Sequence, residues 1–276
     1  MMAALADAGC MLSTTATDAT AVNAIRTGPR GGTPVVLLHS AGLDLTYWDA
    51  QLDALRRDHD VVALDLPGHG GSRGRAEEIT VEHVSAAIGA AITDLDAGPV
   101  HLVGLSVGGL IAQSIALDRP QLVRSLVLID TAANFSPGGQ AAMRERADTA
   151  RREGMAAVLP GLFAHWFMPD TLARRPHLVD RATKTLLHDD PHTHAALWEL
   201  IAAFDVAERL PAVTAPTLVL VGEHDSSSPL SSARHLCEAI PRARLRIVPD
   251  AAHLSPIERP DTVTGHIDAF LNEVTR

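Results

Sequence analysis

Short apolar runs recur along the chain at Val35 to Leu38, Val61 to Leu64, Val100 to Val103, Leu126 to Ile129, Leu218 to Val221 and Leu245 to Val248. Runs that are apolar rather than alternating are what strands covered on both faces show. The stretches between them carry helical spacing. Ile79, Val84, Ile88 and Ile92 recur on one helical face over Thr80 to Asp94, and Leu110 to Asp118 reads as a second helix stopped by Pro120. Strands alternating with helices predict parallel pairing. Ala21 to Arg26 is expected to add an antiparallel edge strand ahead of the parallel series.

One segment breaks this rhythm. Residues 134–204 contain no strand-like run, only helical patterning interrupted by Gly138-Gly139, Pro160-Gly161, Pro169, Pro176 and Pro191. A helical insertion between two halves of a parallel sheet reads as a cap over the strands' carboxyl ends, where ligands bind in such sheets. The expected class is therefore α/β: a mostly parallel central sheet flanked by helices, with a helical cap. The chain divides into an N-terminal extension (1–19), a core domain (20–133 and 205–276) and the cap (134–204). The cap arginines Arg144, Arg146, Arg151, Arg152, Arg174, Arg175 and Arg181 read mainly as a solvated face.

Gly104-Leu105-Ser106-Val107-Gly108-Gly109 follows one apolar run directly and opens a helical pattern. This is G-x-S-x-G in a strand–turn–helix setting, the nucleophile elbow. A serine hydroxyl is a weak nucleophile and must be lifted clear of the backbone to where a base can reach it. The sharp turn that does so strains the serine, and side chains two residues away on either side would collide. Gly104 and Gly108 stand at those positions.

A serine nucleophile needs a base, an orienting acid and an oxyanion hole, with chain order nucleophile, acid, histidine in this setting. Gly222-Glu223-His224-Asp225 leaves the fifth parallel run, and Pro249-Asp250-Ala251-Ala252-His253 leaves the sixth. Ser106, Asp225 and His253 thus emerge at one sheet edge. Asp130, after Leu126 to Ile129, is the reserve acid. The loop His39-Ser40-Ala41-Gly42 should supply one oxyanion donor, the Ala41 N–H, and Val107 the other. Asp65-Leu66-Pro67-Gly68-His69-Gly70-Gly71-Ser72 reads as a turn that braces the elbow rather than as a second catalytic motif. His188, His192 and His194 cluster around Asp189-Asp190-Pro191, which reads as an exposed loop, so no metal site is expected. Trp166 and Trp198 fall in the cap and Trp48 in the first helix, where tryptophan generally serves packing.

Composition narrows the partners. A formal net charge of −10 opposes nucleic-acid binding, and five Phe, three Trp and one Tyr leave little for base stacking. No apolar run is long enough to span a membrane. Met1 to Thr20 lacks the basic start and apolar segment of a signal peptide. With Cys10 and Cys237 not forming a framework, reduced thiols and a cytoplasmic setting are expected.

From about Thr20 onward the chain resembles the alpha/beta-hydrolase fold family, through the elbow, the 65–72 turn, Gly222-Glu223-His224-Asp225, and Ala252-His253-Leu254 with Glu258-Arg259-Pro260. Within that fold it is most similar to the 3-oxoadipate enol-lactonase group. Ser40-Ala41-Gly42 with Tyr47-Trp48-Asp49, the stretch Arg124 to Ala133, Trp166-Phe167-Met168-Pro169 and Leu172-Ala173-Arg174-Arg175-Pro176 carry that similarity. His39 and Ala41 depart from it. The resemblance implies a serine carboxylic ester hydrolase acting on an ester or small lactone through an acyl-serine, without cofactor. It implies a carboxylated small-molecule substrate met by Trp166, Arg174 and Arg175. A C–C bond hydrolase of ring-cleavage products and a non-catalytic binding protein are the alternatives, and a homodimer is compatible with all three.

Overall fold

The computed structural model describes residues 22–275. The N-terminal extension, Cys10 and the first residue of the expected edge strand lie outside the described residues. Seven strands form one sheet in the order β1-β3-β2-β4-β5-β6-β7. They are β1 (Ala24–Thr27), β2 (Val35–Leu38), β3 (Val61–Leu64), β4 (Val100–Leu105), β5 (Val123–Ile129), β6 (Thr217–Gly222) and β7 (Ala243–Val248). Only β1 runs antiparallel, pairing Ala24 with Leu64 through Thr27 with Val61. Every residue of β2, β3, β4 and β6 is buried, which is why their sequences show no alternation.

The last strand differs from its expected character. β7 lies at the sheet edge, with Arg244, Arg246 and Ile247 exposed, so it is not covered on both faces. Arg246 inside the run is the sequence sign of that exposure. Arg244 pairs with Glu273, and the charges keep the open edge soluble.

The core helices are α1 (Asp49–Leu55), α2 (Val81–Asp94) and α3 (Val107–Asp118). The cap follows as α4 (Pro137–Glu153), α5 (Met155–Trp166), α6 (Pro169–Arg174), α7 (Pro176–His188) and α8 (Pro191–Ala203). After it come α9 (Leu230–Ala239), the short α10 (Ser255–Glu258) and α11 (Pro260–Thr275). Thr80 caps α2 by accepting the His83 N–H, and α2 packs on α3. Of the prolines that break the cap's periodicity, Pro169, Pro176 and Pro191 each occupy the first turn of a helix, as Pro137 does, where the missing N–H costs no helical bond, while Pro160 lies inside α5. Helices α4 and α8 lie against each other, with Ala147 and Ala150 fully buried on the α4 side.

Strand order reverses at β2, which has β3 on one side and β4 on the other. The loops after β2 and β4 therefore flank the crevice where open parallel sheets bind ligands. Two glycines make that junction possible. A Cβ on Gly104 would overlap the Gly108 carbonyl, and one on Gly108 would overlap the Leu38 carbonyl. Backbone therefore lies directly on backbone where β4, the elbow and the loop after β2 meet.

Gly104→Ala is expected to destabilise the fold by about 1–3 kcal/mol, the usual cost of overpacking. A lowered midpoint in urea unfolding checks it. An unchanged midpoint would mean that the elbow relaxes freely.

Candidate active site

Ser106 joins β4 to α3 with φ 53° and ψ −117°, a conformation that a residue with a side chain holds only under constraint. The constraints are visible. Its N–H donates to the Ile129 carbonyl at 2.9 Å, and its own carbonyl accepts the Thr131 hydroxyl at 2.8 Å and the Gly109 N–H at 2.8 Å.

His253 sits on the loop after β7, and its Nε2 lies 2.9 Å from the Ser106 Oγ. Its Nδ1 lies 2.9 Å from Asp225 Oδ2. A carboxylate only accepts, so Nδ1 carries the proton and Nε2 offers its lone pair to the serine hydroxyl. Asp225 is held in turn by the Ser227 and Ser228 N–H groups, at 2.8 and 3.0 Å on Oδ1. The two loops are bound to each other, since the His224 N–H donates to the Ala251 carbonyl and Gly222 has no room for a Cβ beside Ala252. Burial by itself disfavours the His253 imidazolium, but the Asp225 charge and hydrogen bond outweigh it, with help from the Asp130 charge. The ring is thereby left above its ordinary range.

Asp130, the reserve acid, is fully buried but makes no bond to His253. Its carboxylate accepts the Gly222 N–H at 2.8 Å and the Ser255 N–H at 3.0 Å, pinning the ends of β5 and β6 to the segment after His253. Burial and the nearby Asp225 charge both push its carboxyl well above the usual carboxylate range. Asp130 is a brace here, and Asp225 is the acid that reaches the ring.

Ala41 and Val107 are both buried, and neither N–H has an acceptor among the described residues. Val107 opens α3, whose N-terminal turn rests against the Leu38 and His39 carbonyls. Two unpaired N–H groups at a helix N-terminus and an adjoining loop are suited to an anionic oxygen. The 65–72 turn braces this loop rather than the elbow: Leu66 N–H donates to His39 Nε2 at 2.9 Å, and Gly42 N–H donates to His69 Nε2 at 3.2 Å. His69 makes no bond to Ser106.

The cap places its arginines differently from expectation. Arg174 is largely exposed and pairs with Asp170 at 2.8 Å, because residues 170 and 174 share the outer face of α6. Arg175 donates to the Glu258 carbonyl at 3.0 Å and to Thr171 Oγ1 at 2.9 Å, so its fork is occupied by the protein itself. Trp166 is buried, and its carbonyl accepts the Leu254 N–H at 3.2 Å beside His253. The arginine that faces inward is Arg146, which had been grouped with the solvated face. Its guanidinium lies 4.3 Å over the Trp198 ring, with no carboxylate in ion-pair range among the described residues. Burial disfavours its charge, and that charge opposes protonation of His253. The missed signal was periodicity: Met143, Arg146, Ala147 and Ala150 share one face of α4, and its alanines are buried.

The histidines around residue 190 also separate. His188 and His192 are exposed, whereas His194 is buried in α8 and accepts the Trp198 Nε1–H at 2.9 Å. The segment was expected to be an exposed loop, but Pro191 begins a helix that faces inward. Among the described residues no group of three or more His, Cys, Asp or Glu side chains is arranged to hold a metal ion. No described helix is long and apolar enough to cross a membrane.

Comparison with known proteins agrees with this architecture. The alpha/beta hydrolase fold family model matches residues 33–260. The chain is 25% identical to 3-oxoadipate enol-lactonase 2 of Acinetobacter baylyi over 237 residues, covering 86% of this chain and 88% of that one. The solved enol-lactonase from Burkholderia xenovorans LB400 superposes with a TM-score of 0.87 at 31% identity, covering 92% of this chain and 98% of that one. A thermophilic esterase from Thermogutta terrifontis superposes with a TM-score of 0.86 at 32% identity, covering 95% and 97%.

An NMR titration of the His253 ring should give a midpoint above its ordinary value of 6.5. Asp225→Asn removes both a charge and a hydrogen bond that favour the imidazolium, so the midpoint should fall. Asp130→Asn removes only a charge and should lower it less. The reverse order would make Asp130 the ring's principal partner.

Proposed function

The chain belongs to the alpha/beta hydrolase fold family, and from that premise we propose that it is a serine hydrolase cleaving a carboxylic ester or small lactone through an acyl-serine. The observation that carries this reading is the unbroken chain of bonds from Ser106 Oγ through His253 to Asp225, beside two unpaired buried N–H groups. Ser106 Oγ attacks the acyl carbon as its proton passes to His253 Nε2. Asp225 holds the ring and offsets the imidazolium charge. The carbonyl oxygen, now anionic, takes the Ala41 and Val107 N–H groups. Collapse expels an alkoxide or enolate, which receives the proton from His253. Water, deprotonated by the same nitrogen, then releases the acid and restores Ser106. Each step is provided by side chains and backbone, so no cofactor is required.

Arg146 supports a small substrate that carries a carboxylate. A net charge of −10 repels such an anion at long range, so a local cation is needed to hold it. Arg146 is partly desolvated and has no acid partner among the described residues, and its fork suits a carboxylate. This assigns to Arg146 the role first given to Arg174 and Arg175. The likeness to enol-lactonases points to a lactone over a long-chain ester.

The test compares kcat/KM for a carboxylated enol-lactone, a neutral lactone and a p-nitrophenyl ester of similar size. The carboxylated lactone should be preferred, and Ser106→Ala should abolish turnover of all three and prevent labelling by an organophosphate. Arg146→Ala should cost the carboxylated lactone about 10–100-fold, the equivalent of one charge-assisted contact, and should not slow the neutral lactone. Labelling without turnover of any ester or lactone would favour the C–C hydrolase. Absence of labelling would favour a binding protein.

A further inference from the structure

Two buried histidines hold the loop that carries Ala41 and make no hydrogen bond to Ser106. His39 and His69 are 1% and 3% exposed, with ring centroids 5.2 Å apart. Each belongs to one loop and bonds the other. His39, on the loop after β2, accepts the Leu66 N–H; His69, on the loop after β3, accepts the Gly42 N–H. The other nitrogen of each ring faces a carbonyl of its own loop. His39 Nδ1 lies 2.8 Å from the Ser40 oxygen, and His69 Nδ1 lies 3.2 Å from the Pro67 oxygen. Carbonyls only accept, so both rings carry their proton on Nδ1 and use Nε2 as an acceptor. Each ring thus has one donor and one acceptor, both used.

The bond from His39 Nδ1 has a geometric consequence. The Ser40 carbonyl and the Ala41 N–H belong to one peptide plane, and in a trans peptide they point in opposite directions. Two donors fix that carbonyl: His39 Nδ1–H, and the Leu43 N–H at 3.3 Å. Holding the oxygen toward His39 turns the Ala41 N–H away from it, where it has no partner among the described residues. The next plane is fixed by His69 through the Gly42 N–H. Gly42, at φ +65°, is backed by the cap, since a Cβ there would press on Leu186, His194 and Asp189.

We propose that His39 and His69 are positioning residues that set the peptide planes of residues 40–42 and so aim the Ala41 N–H at the substrate oxygen. The proposal rests on the reading of Ala41 as an oxyanion donor. Both rings must stay neutral, because a protonated Nε2 could not accept. Burial pushes both down to about 4, further lowered for His69 by the His39 charge, while Asp44 and Asp189 act against this at His39 and Asp189 at His69. The other titratable groups facing them are Asp65, 4.0 Å from His39 Nε2, and His194, which also disfavours the charged form of His69. Both acceptors therefore survive throughout the range in which His253 works as a base.

The test separates the two bonds of His39. His39→Asn retains an amide N–H near the position of Nδ1, His39→Gln carries its amide to the position of Nε2, and His39→Phe removes both. On a p-nitrophenyl ester the Asn variant should keep kcat within a few-fold of wild type. Gln and Phe should lose about 10–100-fold in kcat with KM nearly unchanged, short of the roughly 10²–10³-fold loss when an oxyanion donor is removed outright. At the second ring, His69→Gln should outperform His69→Phe. Crystal structures of His39→Asn and His39→Phe should show the Ser40–Ala41 peptide retained in the first and rotated in the second. Equal losses in all three His39 variants, tracking their melting temperatures, would reduce His39 to a packing residue and overturn the proposal. So would an unrotated peptide in His39→Phe. If wild type itself turned over no ester, the functional reading would fail, yet the two crystal structures would still decide whether His39 sets the peptide.

Discussion

The strained backbone at Ser106 is the constraint on which the rest of the site depends. A residue at φ 53° and ψ −117° relaxes unless its neighbours forbid it. Here the neighbours are backbone but for one hydroxyl: β5 takes its N–H through Ile129, the Thr131 hydroxyl and the Gly109 N–H donate to its carbonyl, and Gly104 and Gly108 admit no side chain. A turn pressed this tightly requires strands already in register, so the sheet is a precondition of the nucleophile. The same pressure brings α3 onto the carbonyls of the loop after β2, which places a helix N-terminus beside the Ala41 N–H. Raising the serine and opening a site for negative charge are consequences of one packing event.

Much of this was legible in the sequence because its causes are local. Burial on both faces writes itself as continuous apolar runs, and a strand-to-loop boundary shows where Asp225 and His253 leave the sheet. What was not legible depends on which surface a segment meets after folding. Arg146 and Arg174 are both cap arginines in helical sequence, but α4 turns Arg146 onto Trp198 while α6 turns Arg174 into water. Only the alanines spaced around Arg146 mark the difference. The same holds for Pro191, which reads as a loop breaker until one sees that it opens a helix. The partner of the 65–72 turn, the loop after β2, lies 27 residues away in both His39–Leu66 and Gly42–His69 pairs, beyond the reach of pattern.

Buried acids divide the work by their hydrogen-bond partners. Asp225 and Asp130 both end strands of the sheet and are close enough for one charge to raise the other. Asp225 gives one oxygen to backbone and keeps the other for His253. Asp130 spends both oxygens on backbone N–H groups and makes no bond to the ring. Glu258 follows the same rule as Asp130: it accepts the Met168 and Ala252 N–H groups at 2.9 and 2.7 Å and joins the cap to the loop of His253. In each case the hydrogen-bond partners, and not proximity alone, separate a brace from a proton-handling partner.

The cap meets the core at two chemically different places, and this gives it influence over the reaction as well as over entry. Around Trp166 to Arg175 it is bonded to the His253 loop, and around His194 it packs on Gly42 of the donor loop. The cap also carries Arg146, stacked on Trp198, whose charge opposes protonation of His253. In the proposed reaction a substrate carboxylate settling on Arg146 would cancel that opposition and make the ring a stronger base. A neutral ester would leave Arg146 uncompensated and the base weaker. Discrimination of this kind appears in kcat as well as in KM, because the group that holds the substrate also acts electrostatically on the group that activates Ser106. It would hold only while His194 and Trp198 keep the guanidinium in place, which ties the selectivity of the cap to the same contacts that back the donor loop.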